Sequence, residues 1–579
     1  MARSRGQRGR RPAAQVMEEP PQSARSREWP WLFVPAAAVL LLCAPLLMNG
    51  PLPRGSDVYA ITHYLAGFLN ALGEGEWAPG WSAETNQGLG GPAFVLFPPL
   101  FFYAAGAAAW VAGGLIVGLK FYLVLVAALS ALAFYLLARD WAGPGLPAAA
   151  GAALYLLLPY HVLDMYQRFA MPETTAFVFL PLILLCARRL LHGGGAGSWV
   201  GLVFSYAGLA YTHLVSTLLF SLLLGVWLLW EARGRWLPLA RVAAALALGG
   251  ALAAPAVVPA MLEKSFVNID WVKEMPNGDF RINFIFEDKV LPVIGVKDIV
   301  KPLVLRSALA QLVFAAGAAG IALWGFRAKE KDRRRLIAGM AAGCAVAYLL
   351  QLRLSTPIWL LIPELPTIQF PWRFQTVMVL ASALLAAFAL AAPAHGARRP
   401  AAAALLGILL LPSLVFAARF AYEKPFDYGE EALALVSGPT VWIEPALTPV
   451  QFERYKRFRF DKMTFPEQGF IEGEGRVESL ARSSARRRVE LSSTAGGTAR
   501  MRLFWFPGWT GRIDGEPIEL RPSVRDGLVT FDVPPGSHTV DLAFEMTPVR
   551  RASWWAALGA LVTALVPVPW WSGRFRGSA

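Results

Sequence analysis

Cysteine and histidine are scarce in this chain, at three and six of 579 residues. Cys43, Cys186 and Cys344 all fall within apolar runs, which excludes a disulfide framework or metal-type cysteine spacing and leaves small packing residues. Charge is short as well: 16% of residues are charged against 56% hydrophobic, a membrane composition rather than a soluble one. There is no P-loop and no dinucleotide-binding glycine motif, which weighs against direct use of a cytoplasmic nucleotide or nucleotide sugar. No internal repeat is evident. The net charge of +14 raises the question of nucleic acid, but the aromatics that base stacking needs lie in apolar runs. The arginine surplus reads instead as facing anionic lipid, and no nucleic-acid partner is expected.

What the chain has in abundance is apolar runs long enough to cross about 30 Å of hydrocarbon. Twelve spans are expected, at 31–49, 117–138, 144–160, 174–191, 198–212, 214–230, 237–259, 304–326, 336–352, 374–392, 400–418 and 552–571. The basic stretch Arg3 to Arg11, with Arg25 and Arg27, is long and no small-residue cleavage site follows the first run, so it reads as a tail and not a signal peptide. Basic residues then recur at every second connection: Arg139, Arg188 and Arg189, Arg233 and Arg235, Lys329 to Arg335, Arg398 and Arg399, Arg574 and Arg576. The positive-inside rule places these loops and both termini in the cytoplasm of a multi-pass protein. That parity holds only if the apolar segment 94–116 does not cross. Pro98-Pro99 and Gly113-Gly114 fit a broken, amphipathic or re-entrant helix at the outer face.

The expected organisation is a basic cytoplasmic tail (1–29), a transmembrane domain (30–418) with long outer loops at 50–116 and 261–303, an outer domain (419–551), and a last span with a basic tail (552–579). The outer domain changes character. Alternating stretches such as Arg488-Val489-Glu490-Leu491 and Leu528-Val529-Thr530-Phe531-Asp532-Val533, with the turn pairs Asp514-Gly515 and Asp526-Gly527, predict a small antiparallel β-sandwich. The fold class is thus an all-α polytopic membrane domain with a C-terminal extracytoplasmic β-sandwich.

Four constellations sit at outer span mouths. The first is Asp57 with His63, followed by Trp77, Trp81, Asn86 and Gln87. A carboxylate at the lip of a span is a common place for lipid-dependent glycosyl transfer, and aromatic faces with amides suit a sugar. Against this stand helix capping for the Asp and interfacial anchoring for the Trp residues. The second is Tyr160-His161 with Asp164, Tyr166, Arg168 and Glu173. Mixed charge so near hydrocarbon marks a cavity, or else an Asp164–Arg168 pair one helical turn apart. The third is Tyr211-Thr212-His213, where a lone His reads first as a hydrogen-bonded packing residue. The fourth is Gln369-Phe370-Pro371-Trp372-Arg373-Phe374, whose Arg373 either snorkels or meets a phosphate.

Taken in order, these motifs resemble the GT-C class of membrane glycosyltransferases, and more closely the bacterial membrane proteins labelled 6-pyruvoyl-tetrahydropterin synthase-related. The resemblance rests on Ser56-Asp57 with His63, Gly88-Leu89-Gly90-Gly91-Pro92, Phe97-Pro98-Pro99-Leu100, Asp164-Met165-Tyr166-Gln167-Arg168 with Glu173, Thr212-His213-Leu214 and Phe370-Pro371-Trp372-Arg373-Phe374. Trp505-Phe506-Pro507-Gly508-Trp509 with Ile513-Asp514-Gly515 resembles the outer domain of related transferases. Three places depart: Ser56 where the family often has His, Arg168-Phe169 where it reads Arg-Gly, and Glu444-Pro445 where a Glu-Tyr-Leu-Pro stretch is usual.

The resemblance implies transfer of a sugar from a polyprenyl-phosphate donor to an envelope glycan, lipid or protein acceptor at the outer face of a bacterial inner membrane. Asp57 would be the general base; Arg373, with Arg168 or His213, would hold the leaving phosphate; His63, Asp164, Glu173, Trp77 and Trp81 would support them. No cofactor is called for, and a divalent metal is left open. A pterin synthase is a soluble enzyme with a zinc-binding histidine set, and six scattered histidines do not supply one. Two other readings compete: a polytopic transporter or flippase of an envelope lipid, which calls for charge deep within the spans, and a non-catalytic membrane scaffold.

Overall fold

The computed structural model describes residues 28–271, 278–287, 300–326, 330–392, 398–422, 426–437, 445–452 and 467–566. The expected tail 1–29 lies almost wholly outside them, as do Glu444, Lys329, Arg574 and Arg576.

Helix α1 (Phe33–Met48) runs to strand β1 (Leu52–Pro53) and to α2 (Val58–Gly73); α3 (Leu100–Ala112) and α4 (Leu115–Trp141) follow. Two clamps fix α4 antiparallel to α1. Near one end Lys120 donates to the carbonyls of Asn49 and Gly50 (2.5 Å to the latter). At the other, Arg139 donates to Glu28 through Nε (2.8 Å) and Nη2 (3.2 Å). The segment between Asn49 and Gly114 therefore starts and finishes on one face, here called distal, and its apolar helix α3, 13 residues long, is shorter than the helices long enough to span. Gly113, at φ 71°, stops α3 in the left-handed conformation that Gly tolerates best. Gly118 then lets α4 lie against α3, since a Cβ there would stand 2.2 Å from Ala109 Cα.

The remaining membrane helices are α5 (Leu146–Leu157), α6 (Met171–Leu191), α7 (Ala196–Thr212), α8 (Leu214–Ala232), α9 (Trp236–Leu252), α10 (Ala254–Leu262), α11 (Val300–Gly325), α12 (Lys331–Leu349), α13 (Gln375–Ala391) and α14 (Arg398–Tyr422). Apolar on nearly every side, α13 is the most buried, 83% of its span window lying inside the protein, as an all-round hydrophobic sequence demands. The expected count of twelve spans is not reached by length and composition within the described residues. Among the described residues six helices are long and apolar enough to cross, or nine if each bent pair is one span. The pairs bend by 46° after α5, 72° between α9 and α10, and 91° after α12. Proline explains the first: Leu158 is extended (ψ 144°) because Pro159 disfavours a helical residue before it.

Beyond β2 (Phe426–Tyr428), which pairs with β1, lies the expected β region. Strands β3 (Gly469–Glu472), β4 (Arg476–Arg482), β5 (Arg486–Ser493), β6 (Gly497–Phe504), β7 (Trp509–Ile513), β8 (Glu516–Ile518), β9 (Arg521–Pro522), β10 (Leu528–Val533) and β11 (Gly536–Phe544) form two antiparallel sheets. Their orders are β3-β6-β10-β9 and β4-β5-β11-β7-β8. Val489 and Leu491 of β5 point inward while Arg488 and Glu490 point out, the alternation of a half-buried strand. Asp514-Gly515, both at positive φ, turns β7 into β8.

Helix α15 (Pro548–Leu565) packs against α9 and α10. The sheets dock on the distal loop. Trp81 packs edge-on against Trp509 (5.4 Å) and also meets Phe544 (5.3 Å). Arg482 donates to Gly88 O (3.0 Å), Arg502 to Gln87 O (3.3 Å), and Ser484 N–H to Glu74 (2.6 Å). A buried ion pair, Arg550 with Glu263 at 2.8 Å, locks α15 to the end of α10.

Candidate functional site

The segment Gly55-Ser56-Asp57 runs beside a π-helical turn, Leu163–Arg168. Ser56 N–H donates to Gln167 O (3.1 Å) and Asp57 N–H to Arg168 O (2.8 Å). This contact requires Gly55, whose Cβ would stand 2.4 Å from Phe169 Cβ and 2.9 Å from the Arg168 carbonyl carbon. Phe169 itself sits at φ 58°, ψ 38°, a conformation that costs a residue with a β-carbon roughly 1–2 kcal/mol. That accounts for glycine being usual in the resembling motif. Here a fully buried phenyl ring offsets the strain.

Asp57 occupies the N-cap of α2, yet its side chain makes no capping hydrogen bond. Its carboxylate accepts from Ser56 Oγ (2.9 Å) and stands 4.0 Å from Arg168 Nη2 with 42% of the side chain exposed. Ser56 thus steadies the carboxylate from the position where the family often has His. Helix capping does not account for Asp57.

Behind it lies a buried charge network. Arg168 Nη1 donates to Asp164 (2.5 Å) and Glu173 (2.7 Å). Tyr160 donates to Glu173 Oε1 (2.9 Å), Thr376 to the same oxygen (3.4 Å), and Thr174 to Asp164 Oδ2 (3.3 Å). Arg373 Nε lies 3.4 Å from Glu173 Oε2, and its guanidinium covers the Phe370 ring at 5.4 Å. Residues separate in sequence, 57, 164 to 173 and 373, therefore meet at the distal mouth of α6 and α13. Three carboxylates face two guanidinium groups. Of the three, Asp57 is the one that stands on the solvent side. The Asp164–Arg168 pair expected as a structural alternative exists, but Glu173 shares its arginine.

His213 caps α8, accepting from Ser216 N–H at 3.3 Å, and lies within electrostatic reach of Glu173, Arg373 and Arg168. The other candidates lie apart. His63 pairs with Thr85 Oγ1 (3.2 Å) inside the distal loop. Six residues along a helix turn it about 120° from Asp57's direction at 3.6 residues per turn. Trp81 is buried under the C-terminal sheets, and Trp77 is exposed beyond the far end of α2. Asn86 closes its own turn on Gly90 O (2.9 Å). Thr174 and Thr376 are the residues that sequence reasoning missed. Thr376 follows Arg373 by three positions, one helical turn, which is the signal that could have found it. Among the described residues no group of three or more His, Cys, Asp or Glu is placed to hold a metal.

No curated protein matches this sequence. Solved structures do resemble the fold. The apo oligosaccharyltransferase of Archaeoglobus fulgidus is 14% identical, with a TM-score of 0.47 over 70% of this chain. This chain spans only 57% of that protein's length. The mycobacterial arabinofuranosyltransferase AftD is 18% identical, with a TM-score of 0.41 over 68% of this chain and 27% of its own. ArnT from Cupriavidus metallidurans, solved with undecaprenyl phosphate, is 15% identical, with a TM-score of 0.28 over 68% of this chain and 84% of its own. Residues 94–421, more than half of the chain, match the 6-pyruvoyl-tetrahydropterin synthase related domain, described as a membrane protein; the chain belongs to that family.

Proposed function

We propose that the protein is an integral-membrane glycosyltransferase of the GT-C type, moving a sugar from a polyprenyl-phosphate donor to an envelope acceptor. The distal face would be the outer face of a bacterial inner membrane, with both termini in the cytoplasm and the two sheets forming an extracytoplasmic sandwich. One observation carries the reading: Asp57 is a half-exposed carboxylate, free of capping duty, positioned by main-chain bonds and backed by the buried Arg168. A general base needs access to its proton donor and a fixed geometry, and Asp57 has both. Arg168 and Arg373 supply positive charge for a leaving phosphate. The charged cluster sits at a span mouth, which favours surface chemistry over transport.

The pterin label describes another chemistry. The five described histidines hold five separate partners: Thr85, Tyr155, Glu231, Ser216 and Asp514.

Asp57→Asn keeps size and removes the base. It is expected to leave insertion and folding intact and to lower transfer by about 10²–10⁴-fold, measured in matched membranes with a polyprenyl-phosphate sugar. Equal rates would remove Asp57 from the mechanism.

A further inference from the structure

A cavity of about 510 Å³ opens at the distal face, away from Asp57. Ala71 lines it, fourteen residues along α2 from Asp57, which at 1.5 Å per residue is about 21 Å. Its walls come from the loop after α2 (Glu76 to Trp81), the start of α3 (Pro99 to Tyr103), the α10 segment Pro255–Pro259, and the C-terminal sheet where Phe544 and Glu545 lead into α15. The volume lies in the usual range for a small-molecule site, about 300–1,000 Å³.

The lining has a distinct chemistry. Trp77 is 87% exposed and Trp554 49%, so neither ring is there to fill a core. Tyr103 donates to Trp77 O at 2.5 Å, which ties the α3 wall to the loop carrying that indole. The single arginine in the lining, Arg550, is already committed to Glu263, to Pro507 O (2.7 Å) and to the faces of Phe506 and Phe544. Glu76 and Glu545 line the space with no ion-pair partner among the described residues. A phosphate headgroup would meet carboxylates and no available cation there. Aromatic faces with carboxylate acceptors fit instead a ligand with apolar faces and a hydroxyl edge.

We propose that this cavity is a saccharide-binding site, taking a short neutral glycan, separate from the Asp57 centre and independent of whether transfer occurs there. The Trp77 indole stacks on a sugar ring, and Glu76 and Glu545 accept hydroxyl hydrogen bonds.

The test uses the full chain in lipid nanodiscs and calorimetric titration with neutral gluco-, manno-, galacto- and N-acetylglucosamine di- to tetrasaccharides. At least one series is expected to bind. Trp77→Ala removes an exposed ring that the core does not need and is expected to weaken that binding about tenfold, the loss of one aromatic contact. Glu76→Gln is expected to weaken it less, and Asp57→Asn not at all. Three results overturn the proposal: no saccharide binding, binding unchanged in Trp77→Ala, or occupation by decanoate or tetramethylammonium in place of sugar. Saccharide binding without any transfer activity would leave this site standing and remove the transferase reading; transfer that depends on Asp57 without binding here would do the reverse.

Discussion

Glu173 is the residue on which the charge network turns. Its two oxygens serve Arg168, Arg373, Tyr160 and Thr376 from a fully buried position. A buried carboxylate shared by two guanidinium groups is costly to remove, because Arg373 then loses its counter-charge and Arg168 keeps only Asp164 and the more distant Asp57. Glu173→Gln preserves shape and is expected to cost about 3–5 kcal/mol of stability, read as a lowered thermal midpoint of the purified protein. An unchanged midpoint would mean that the arginines find other partners. The sequence exposed each member of this network separately, since charge next to an apolar run is conspicuous. It did not expose which of them meet. His63, only six residues from Asp57, turns away, whereas Arg373, over three hundred residues distant, converges. Nearness along the chain says little about a site assembled at the mouths of several helices.

Among the elements, the short crossing of Gly55–Asp57 over the π-helical turn decides where the candidate base stands. Two main-chain hydrogen bonds and one missing β-carbon hold it. Gly55→Ala is expected to push the Arg168–Phe169 backbone away and shift Asp57 relative to Arg168. The strain should cost about 1–3 kcal/mol, and the displacement should lower transfer on the order of 10²-fold, while the protein still inserts. Circular dichroism with a transfer assay separates the two effects, and full activity in Gly55→Ala would show that the crossing adjusts freely. The broken helix at 94–116 was legible because Pro and Gly pairs bracket it and because loop charge forbade a crossing. The bend after α9 was not, since the sequence stays apolar through Leu252-Ala253-Ala254.

For the molecule as a whole, the question is how the sheets are held to the membrane domain. The alternating strands and the Asp-Gly turns were visible in sequence; their docking was not, because Trp81, expected to face a sugar, instead packs beneath Trp509. The strongest tie is polar. Glu263, at the end of α10, pairs with Arg550 at the root of α15 and accepts from Thr547 (2.6 Å). Glu263→Gln leaves a buried guanidinium half-compensated. Limited proteolysis is expected to cut the linker between Glu545 and Arg551 several-fold faster in this variant, with the charge network around Glu173 intact. Identical digestion rates would assign the docking to Trp81 and its aromatic neighbours.

The two clamps along α4 carry a further consequence. Lys120 and Arg139 are nineteen residues apart, about 28 Å along a helix, close to the roughly 30 Å of a bilayer's hydrocarbon layer. Each clamp fastens a cation beside the neighbouring helix, so α1 and α4 together form a ruler of fixed length. A thinner bilayer can be met by tilting the pair. A thicker one would draw Lys120 and its two carbonyl partners, or Arg139 with Glu28, below the surface. The pair would thereby be matched to membranes of ordinary or smaller thickness, and lipid chain length would become a variable that sets how high Asp57 stands above the hydrocarbon.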